Sequence, residues 1–303
     1  MEQRKVYISG KIVPEPEAKI SIFDSAVMLG DTVTESTRTF EYRPFKLEEH
    51  ISRLYKSLKL TRIDPGFDQT EMLRLSNEVL VLNSSNYASG EDCWLVHNIS
   101  RGLSIAGADP TITGSSATVM IFTQPMDLRS WAKYYRKGCH AVTPMSRVIP
   151  SQSLDARIKN RSRMAYTMAE SEVKLVDKDA QSVILDIYGN VSENKGGNIF
   201  AFSDGVLKTP TTENCLSGIS RATVLELARA LNIETKEMRL QPYDLATADE
   251  VFFTSTPYCI MPATKFNGLQ IGSGKVGPIT KSLLSAWSKL VGIDVVKQAV
   301  SQL

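Results

Sequence analysis

Four short stretches of this sequence combine residue types that could do chemistry. Lys159 lies in DARIKNRSRMAY, after a β-like segment and before a helix, with Arg157, Arg161 and Arg163 beside it. Neighbouring cations favour the free amine of a lysine, and a free amine attacks an aldehyde. Most lysines are solvated surface residues, so Lys159 by itself carries little. Glu193 lies in VSENKGGNIFAF, between a hairpin and an apolar strand. It reads equally as a turn carboxylate, although Gly196 and Gly197 suggest a close backbone approach. Ser217 and Gly218 open the helix of LSGISRATVLELARAL, whose apolar side is Val224, Leu225, Leu227 and Leu231. A helix start of this kind offers N–H groups and hydroxyls to an anion, or serves as a simple N-cap. The strand end FFTSTP brings Thr254, Ser255 and Thr256 together, as a further anion contact or a polar turn.

The elements that must position these residues mix strands and helices. Alternation and β-branching predict strands at VYISG, KISIF, Trp94–Ile99, Ala117–Phe122, Ala141–Thr143, Ser182–Asp186, Ile199–Phe202 and Glu250–Thr254. Helical spacing of Leu47, Ile51, Leu54 and Leu58 predicts one helix, with others near Glu71–Leu82, Arg163–Leu175, Arg221–Leu231 and Ile279–Leu290. Tyr188-Gly189-Asn190 is hairpin chemistry inside SVILDIYGNVSE. Strict βαβ alternation is absent, which argues for an α+β fold. The stretch TQPMDLRSWAKYYR has no clean period and reads as an interdomain connection. The organisation expected is a small α/β domain over 1–124, an interdomain loop over 125–136 and a larger domain over 137–303.

Bulk properties narrow the function classes. The 303 residues carry 42% hydrophobic and 22% charged residues, an ordinary globular balance. A net charge of +2 gives no reason to expect a nucleic acid or a membrane as partner. Four cysteines without CxxC spacing and three histidines suit neither a disulfide framework nor a metal site, so no metal is expected. The start MEQRKVYISG has no apolar signal region, and no run is long and apolar enough to span a membrane. The expectation is a soluble, cytoplasmic protein. The motifs GxGxxG, GxxxxGK[ST], HExxH and GxSxG are all missing.

Taken in order, LGDTVTESTRTF, LEEHISRLYKSLKL, RIKNRSR, DIYGNVSENKGGNIFAF, LSGISR, ADEVFFTSTP and GLQIGSGKVGPITKSL resemble the fold-type IV pyridoxal-phosphate (PLP) enzymes across nearly the whole chain. That group holds the branched-chain and D-amino-acid aminotransferases, the (R)-amine transaminases and aminodeoxychorismate lyase. The resemblance implies that Lys159 carries pyridoxal 5'-phosphate as a Schiff base and moves the proton during transfer. It places Glu193 against the pyridine nitrogen and Arg53 on the phosphate. Ser217, Gly218, Ile219 and Ser220 at the helix start, and Thr256 opposite, complete the phosphate contacts. His50 is implied to be structural. Two subunits complete each pocket in this group, so a homodimer or larger homo-oligomer is implied. The reaction implied is ping-pong transfer of an amino group from an amino acid or primary amine to a 2-oxo acid, with the lyase as alternative. Glu35 sits where transaminases often carry Glu and the lyase branch carries Thr.

On the substrate side the resemblance is weaker. Met164 stands where branched-chain enzymes carry Tyr, and Leu29 and Thr34 where they favour aromatic residues. The loop RGLSIAGA, with Ala106 and Ala108, lacks the Arg and His with which the D-amino-acid branch binds carboxylate. Candidate pocket residues are Leu29, Thr34, Arg38, Trp94, Val96, Met164 and Ser255. His97 or Asn98 could replace lost polarity. Arg38, or an arginine within Arg129–Arg136, could anchor a carboxylate.

Overall fold

The structure, a computed structural model, describes residues 3–88, 91–103 and 116–303, so Ala106 and Ala108 lie outside it. The chain divides into two compact units. The first comprises Met1–Met126 together with Ile158–Ser162, and the second Asp127–Arg157 with Arg163–Leu303.

The first unit is a six-stranded antiparallel sheet. Its strands are β1 (Lys5–Ile8), β2 (Lys11–Pro14), β3 (Thr32–Phe40), β4 (Arg43–Pro44), β5 (Cys93–Ser100) and β6 (Thr118–Pro125), in the spatial order β2-β1-β6-β5-β3-β4. A short α1 (Ser25–Met28) precedes β3, and α2 (Leu47–Thr61) and α3 (Gln69–Asn83) cover one face. Strand side chains alternate between faces. Val33, Leu95, Ile99, Val119 and Ile121 therefore share one face, where they meet Ile51, Leu54, Leu58, Met72 and Val79 in a single core. The other face receives Thr34, Ser36 and Arg38, which lie opposite Asn98, Val96 and Trp94. The longest strand, β3, has one aliphatic residue, Val33, and so no apolar run that would mark it in sequence.

KISIF, expected as a strand, is not one. Ile22 and Phe23 are exposed, and the chain turns at Ser21–Asp24 rather than joining a sheet edge. Buried Asp24 fixes the turn. Its carboxylate accepts from Ala26 N, Ser100 Oγ and Thr118 Oγ1.

The second unit is built on an eight-stranded mixed sheet. Its members are β7 (Cys139–Val142), β8 (Gln181–Ser182), β11 (Asn198–Ser203), β12 (Val206–Thr209), β13 (Glu234–Glu237), β14 (Glu250–Ser255), β15 (Cys259–Phe266) and β16 (Leu269–Gln270). The order is β13-β12-β11-β14-β15-β7-β8, with β16 paired to β15. The hairpin β9 (Ile184–Leu185) and β10 (Val191–Glu193) stands apart. The helices are α4 (Arg129–Ala132), α5 (Tyr134–Lys137), α6 (Met164–Val176), α7 (Ile219–Ala230), α8 (Pro242–Ala246), α9 (Pro278–Val291) and α10 (Val295–Val300). The core holds Phe200, Phe252, Phe253, Phe266 and Trp287, and Phe200 stacks on Phe252 at 5.1 Å. The class is α+β.

The expected interdomain loop at 125–136 is instead ordered at α4 and α5 within the second unit. Leu128, Ala132 and Tyr135 are buried at helical spacing, which the interleaved Lys133 and Arg136 hide in sequence. Tyr134 and Tyr135 donate their hydroxyls to the carbonyls of Asp179 and Tyr258. No described helix is long and apolar enough to cross a membrane.

Candidate active site

In the first unit the site is built around β3 and α2. The segment Ile158–Ser162 lies along β3 through a single antiparallel bridge, Val33 to Asn160. Thr34 N donates to Lys159 O, and Arg161 N to Thr32 O, each at 2.8 Å. Lys159 N donates to Ser57 Oγ at 3.1 Å. Ser57 is buried on α2, one turn beyond Arg53 and on the same side of the helix. One helix thus sets both the lysine backbone and the arginine.

Arg53 is held by a carboxylate that is entirely buried. Its Nε donates to Glu35 Oε2 at 2.9 Å and an NH2 group to Oε1 at 2.7 Å. His50 Nδ1 lies 3.0 Å from the same Oε1, and since a carboxylate can only accept, this nitrogen carries the proton. Burial opposes the charge on Glu35, but Arg53 and His50 outweigh it and hold the group well below the usual carboxylate range. Burial is also the main reason why His50 is pushed below the ordinary histidine value. A forked, fixed guanidinium of this kind suits a phosphate.

The second unit offers mainly neutral donors. Glu193 ends β10 and is buried. Its Oε1 accepts from Tyr166 Oη at 2.6 Å and its Oε2 from Leu216 N at 3.1 Å. Helix α7 starts at Gly218 without a side-chain cap. First-turn N–H groups have no acceptor inside a helix, so Ile219 and Ser220 present donors at a positive helix end. A Cβ on Gly218 would stand 2.1 Å from Asn198 Oδ1, while Asn198 Nδ2 donates to Leu216 O at 2.8 Å. Asn198 therefore fixes this turn, and only glycine fits it. Ser217 is exposed, and Thr256 follows β14 half-buried.

The paired glycines differ. A Cβ on Gly197 would meet Thr254 O at 2.5 Å, whereas at Gly196 it would meet nothing. The close approach expected of both belongs to Gly197. Ser255 Oγ donates to Gly196 O. Of the arginines near Lys159 in sequence, Arg157 pairs with Asp155, and Arg163 lies 3.7 Å over the Tyr166 ring and donates to Lys195 O.

Several pocket candidates fall elsewhere than the sequence suggested. Arg38 is buried, 3.5 Å from Asp92, bonded to Thr39 O and set over Phe40 at 4.0 Å. Its charge already has a partner in Asp92. Arg129 pairs at the surface with Asp127. His97 sits on the helix-covered face. Ser76 Oγ gives its proton to Met72 O, so His97 Nε2 must donate to Ser76, at 2.7 Å. Asn98, on the opposite face, accepts from Thr34 Oγ1 at 2.8 Å. Val96 is buried and Trp94 half-buried on that face, while Leu29 and Met164 are exposed in their own units. Tyr166, Ser57 and Asn198 escaped the sequence reading. Only Tyr166 left a trace, as an aromatic two residues past the place where a tyrosine was sought.

These donor types suit pyridoxal 5'-phosphate. A guanidinium or a helix start could serve its phosphate, an amine its aldehyde, and a carboxylate with both oxygens braced by neutral donors its ring nitrogen. The comparisons agree. The model of the amino-transferase class IV family matches residues 32–266. A Methanocaldococcus jannaschii protein provisionally named a branched-chain-amino-acid aminotransferase is 35% identical over 280 residues, covering 92% of this chain and 93% of that protein. The Escherichia coli branched-chain amino acid aminotransferase structure aligns with a TM-score of 0.88 at 27% identity over 95% of each chain. The T.th. branched-chain amino acid aminotransferase with pyridoxamine 5'-phosphate gives 0.87 at 26% identity over 96% of this chain and 95% of that one.

Fold and residues together define an amino-group transferase that works with pyridoxal phosphate. The chain belongs to the class IV aminotransferases. These relatives are transaminases and do not favour the lyase alternative.

Proposed function

We propose that this transaminase moves the amino group of an amino acid with an apolar side chain to a 2-oxo acid, and that it works as a cytoplasmic homodimer. The observation that carries the substrate class is the face of the first sheet opposite α2 and α3. Val96, Trp94, Met120 and Phe122 line it, and its single arginine on β3, β5 or β6, Arg38, is tied to Asp92. Such a wall favours an apolar side chain over a charged one. The branched-chain names of the relatives point the same way.

The bound cofactor supplies an aldehyde for the amine and a ring that accepts an electron pair. Lys159 Nζ would hold the cofactor through its aldehyde and, as the amine of the site, would serve as the proton carrier. Arg53, locked by Glu35, with Ser217, Gly218, Ile219, Ser220 and Thr256, holds the phosphate. Glu193 would face the ring nitrogen and keep it protonated. Thr34 and Ser255 border the substrate with Val96 and Trp94, and Leu29 and Met164 do so from exposed positions.

Dimerisation is supported by Ile22, Phe23, Val27, Met28 and Leu29, an apolar and exposed run that water alone would cover poorly. Four free, buried cysteines suit a reducing compartment.

Borohydride treatment of the yellow enzyme should fix the cofactor to Lys159. Lys159→Ala should abolish transfer from L-leucine to 2-oxoglutarate. Transfer that survives this change would sink the Lys159 assignment. A preference for (R)-1-phenylethylamine or D-alanine over both L-leucine and a charged donor would overturn the substrate class. Light scattering that reads a monomer would remove the dimer.

A further inference from the structure

Tyr166 has no role in the activity described so far, yet it is bonded to one of its acidic groups. It sits in the first turn of α6, packed against Val148, Ala169 and Ile184, and its hydroxyl reaches Glu193 Oε1 at 2.6 Å. The length is that of a hydroxyl donating to a carboxylate, which is the stronger kind of hydrogen bond.

The surroundings hold this contact in one sense. Burial, and then Glu193 itself, push the phenol above its ordinary value, so Tyr166 keeps its proton and can only donate to the carboxylate. Arg163 stacks on the ring at 3.7 Å and ties itself to Lys195 O, in the loop directly after Glu193. Asn194 steadies that loop further, donating to Ser182 O and accepting from Gly196 N. Cys215 is also near, and burial pushes its thiol up to about 12, which leaves it neutral. The charged neighbour is therefore Arg163, which lies over the ring.

We propose that Tyr166 is a positioning residue for the transfer reaction: with Leu216 N it fixes both oxygens of Glu193, so that the carboxylate presents one orientation and one charge state to the cofactor's ring nitrogen. A carboxylate oxygen has two lone pairs, so each oxygen can keep its brace and still accept from a ring N–H. Without Tyr166, Glu193 would lose a donor that orients Oε1 and stabilises its charge. The inference rests on the assignment of Glu193 to the ring nitrogen.

The test compares Tyr166→Phe and Glu193→Gln in the full holoenzyme. Phe keeps the ring, its packing and the arginine above it, and removes only the hydroxyl. Loss of one hydrogen bond to a charged group is worth about ten-fold in an equilibrium. Accordingly, Tyr166→Phe should move the pH midpoint of the bound cofactor's absorbance change by about one unit, and lower kcat about ten-fold with KM within about two-fold. Glu193→Gln should move the same midpoint further. If Glu193→Gln shifts the spectrum and Tyr166→Phe leaves both spectrum and kcat unchanged, Tyr166 is packing alone and the proposal fails. If neither variant shifts the spectrum, the ring-nitrogen assignment of Glu193 fails, and this inference with it.

Discussion

The two units contribute opposite kinds of chemistry. In the first, charges are held by charges. Glu35 is fully buried, and Arg53 and His50 satisfy it on the core side of β3. In the second, the donors on offer are a helix start without a side-chain cap, hydroxyls and a tyrosine. A buried ion pair costs desolvation and tolerates no missing partner, whereas neutral donors are each worth little and can be lost singly. The first half should therefore fail sharply when altered and the second gradually.

The sharpest way to break this contrast is Glu35→Ala. It leaves Arg53 charged with its main buried partner gone, which should cost about 3–5 kcal/mol of stability. Cofactor affinity should fall with it, because Glu35 no longer aims the guanidinium. Urea unfolding reads the first effect and cofactor titration the second. A loss below about 1 kcal/mol, typical of an exposed pair, would erase the distinction between the halves.

Acid should probe the same region next. Burial pushes His97 down to about 4, and His50 moves in the same direction. Both are more easily protonated when the chain unfolds, near 6.5. Their stabilising contribution is therefore complete above about pH 6.5 and lost as pH falls below it; for His97 the loss is complete at about pH 4 and comes to about 3 kcal/mol. Glu35, depressed instead, adds its own loss only below the ordinary carboxylate range. Stability measured by unfolding from pH 7 to 4.5 should fall steadily, and His97→Gln should flatten that slope. An equal slope in the variant would show that His97 does not carry it.

Gly218→Ala should give the smallest effect. The new Cβ would force Asn198 aside and cost its bond to Leu216 O, about 1 kcal/mol. Stability should change little while the cofactor dissociates several-fold more readily. A change as large as that of Glu35→Ala would mean that the second half is as brittle as the first.

Comparing sequence and structure element by element shows a similar split. Helices α2, α3, α6, α7 and α9 were legible because their apolar residues recur at helical spacing. Strands β5, β6, β11 and β14 were legible through apolar runs. Strand β3 was not, because threonines fill it and its burial comes from both faces at once. KISIF misled for the opposite reason, since its alternation is real but no strand lies beside it.

What the sequence by itself determined is the chemistry available: an amine at Lys159, a carboxylate at Glu193, an arginine at position 53, and a glycine-led helix start. It also carried enough ordered motifs to place the chain in its family. Which charges are already committed was decided only by the tertiary structure. Arg38 and Arg53 look alike in sequence. Folding buries one against Asp92 and holds the other on Glu35, one helical turn from the residue that ties down Lys159. Spacing along a chain does not encode that difference, because an ion pair depends on which distant segments are packed together and on how much water they exclude.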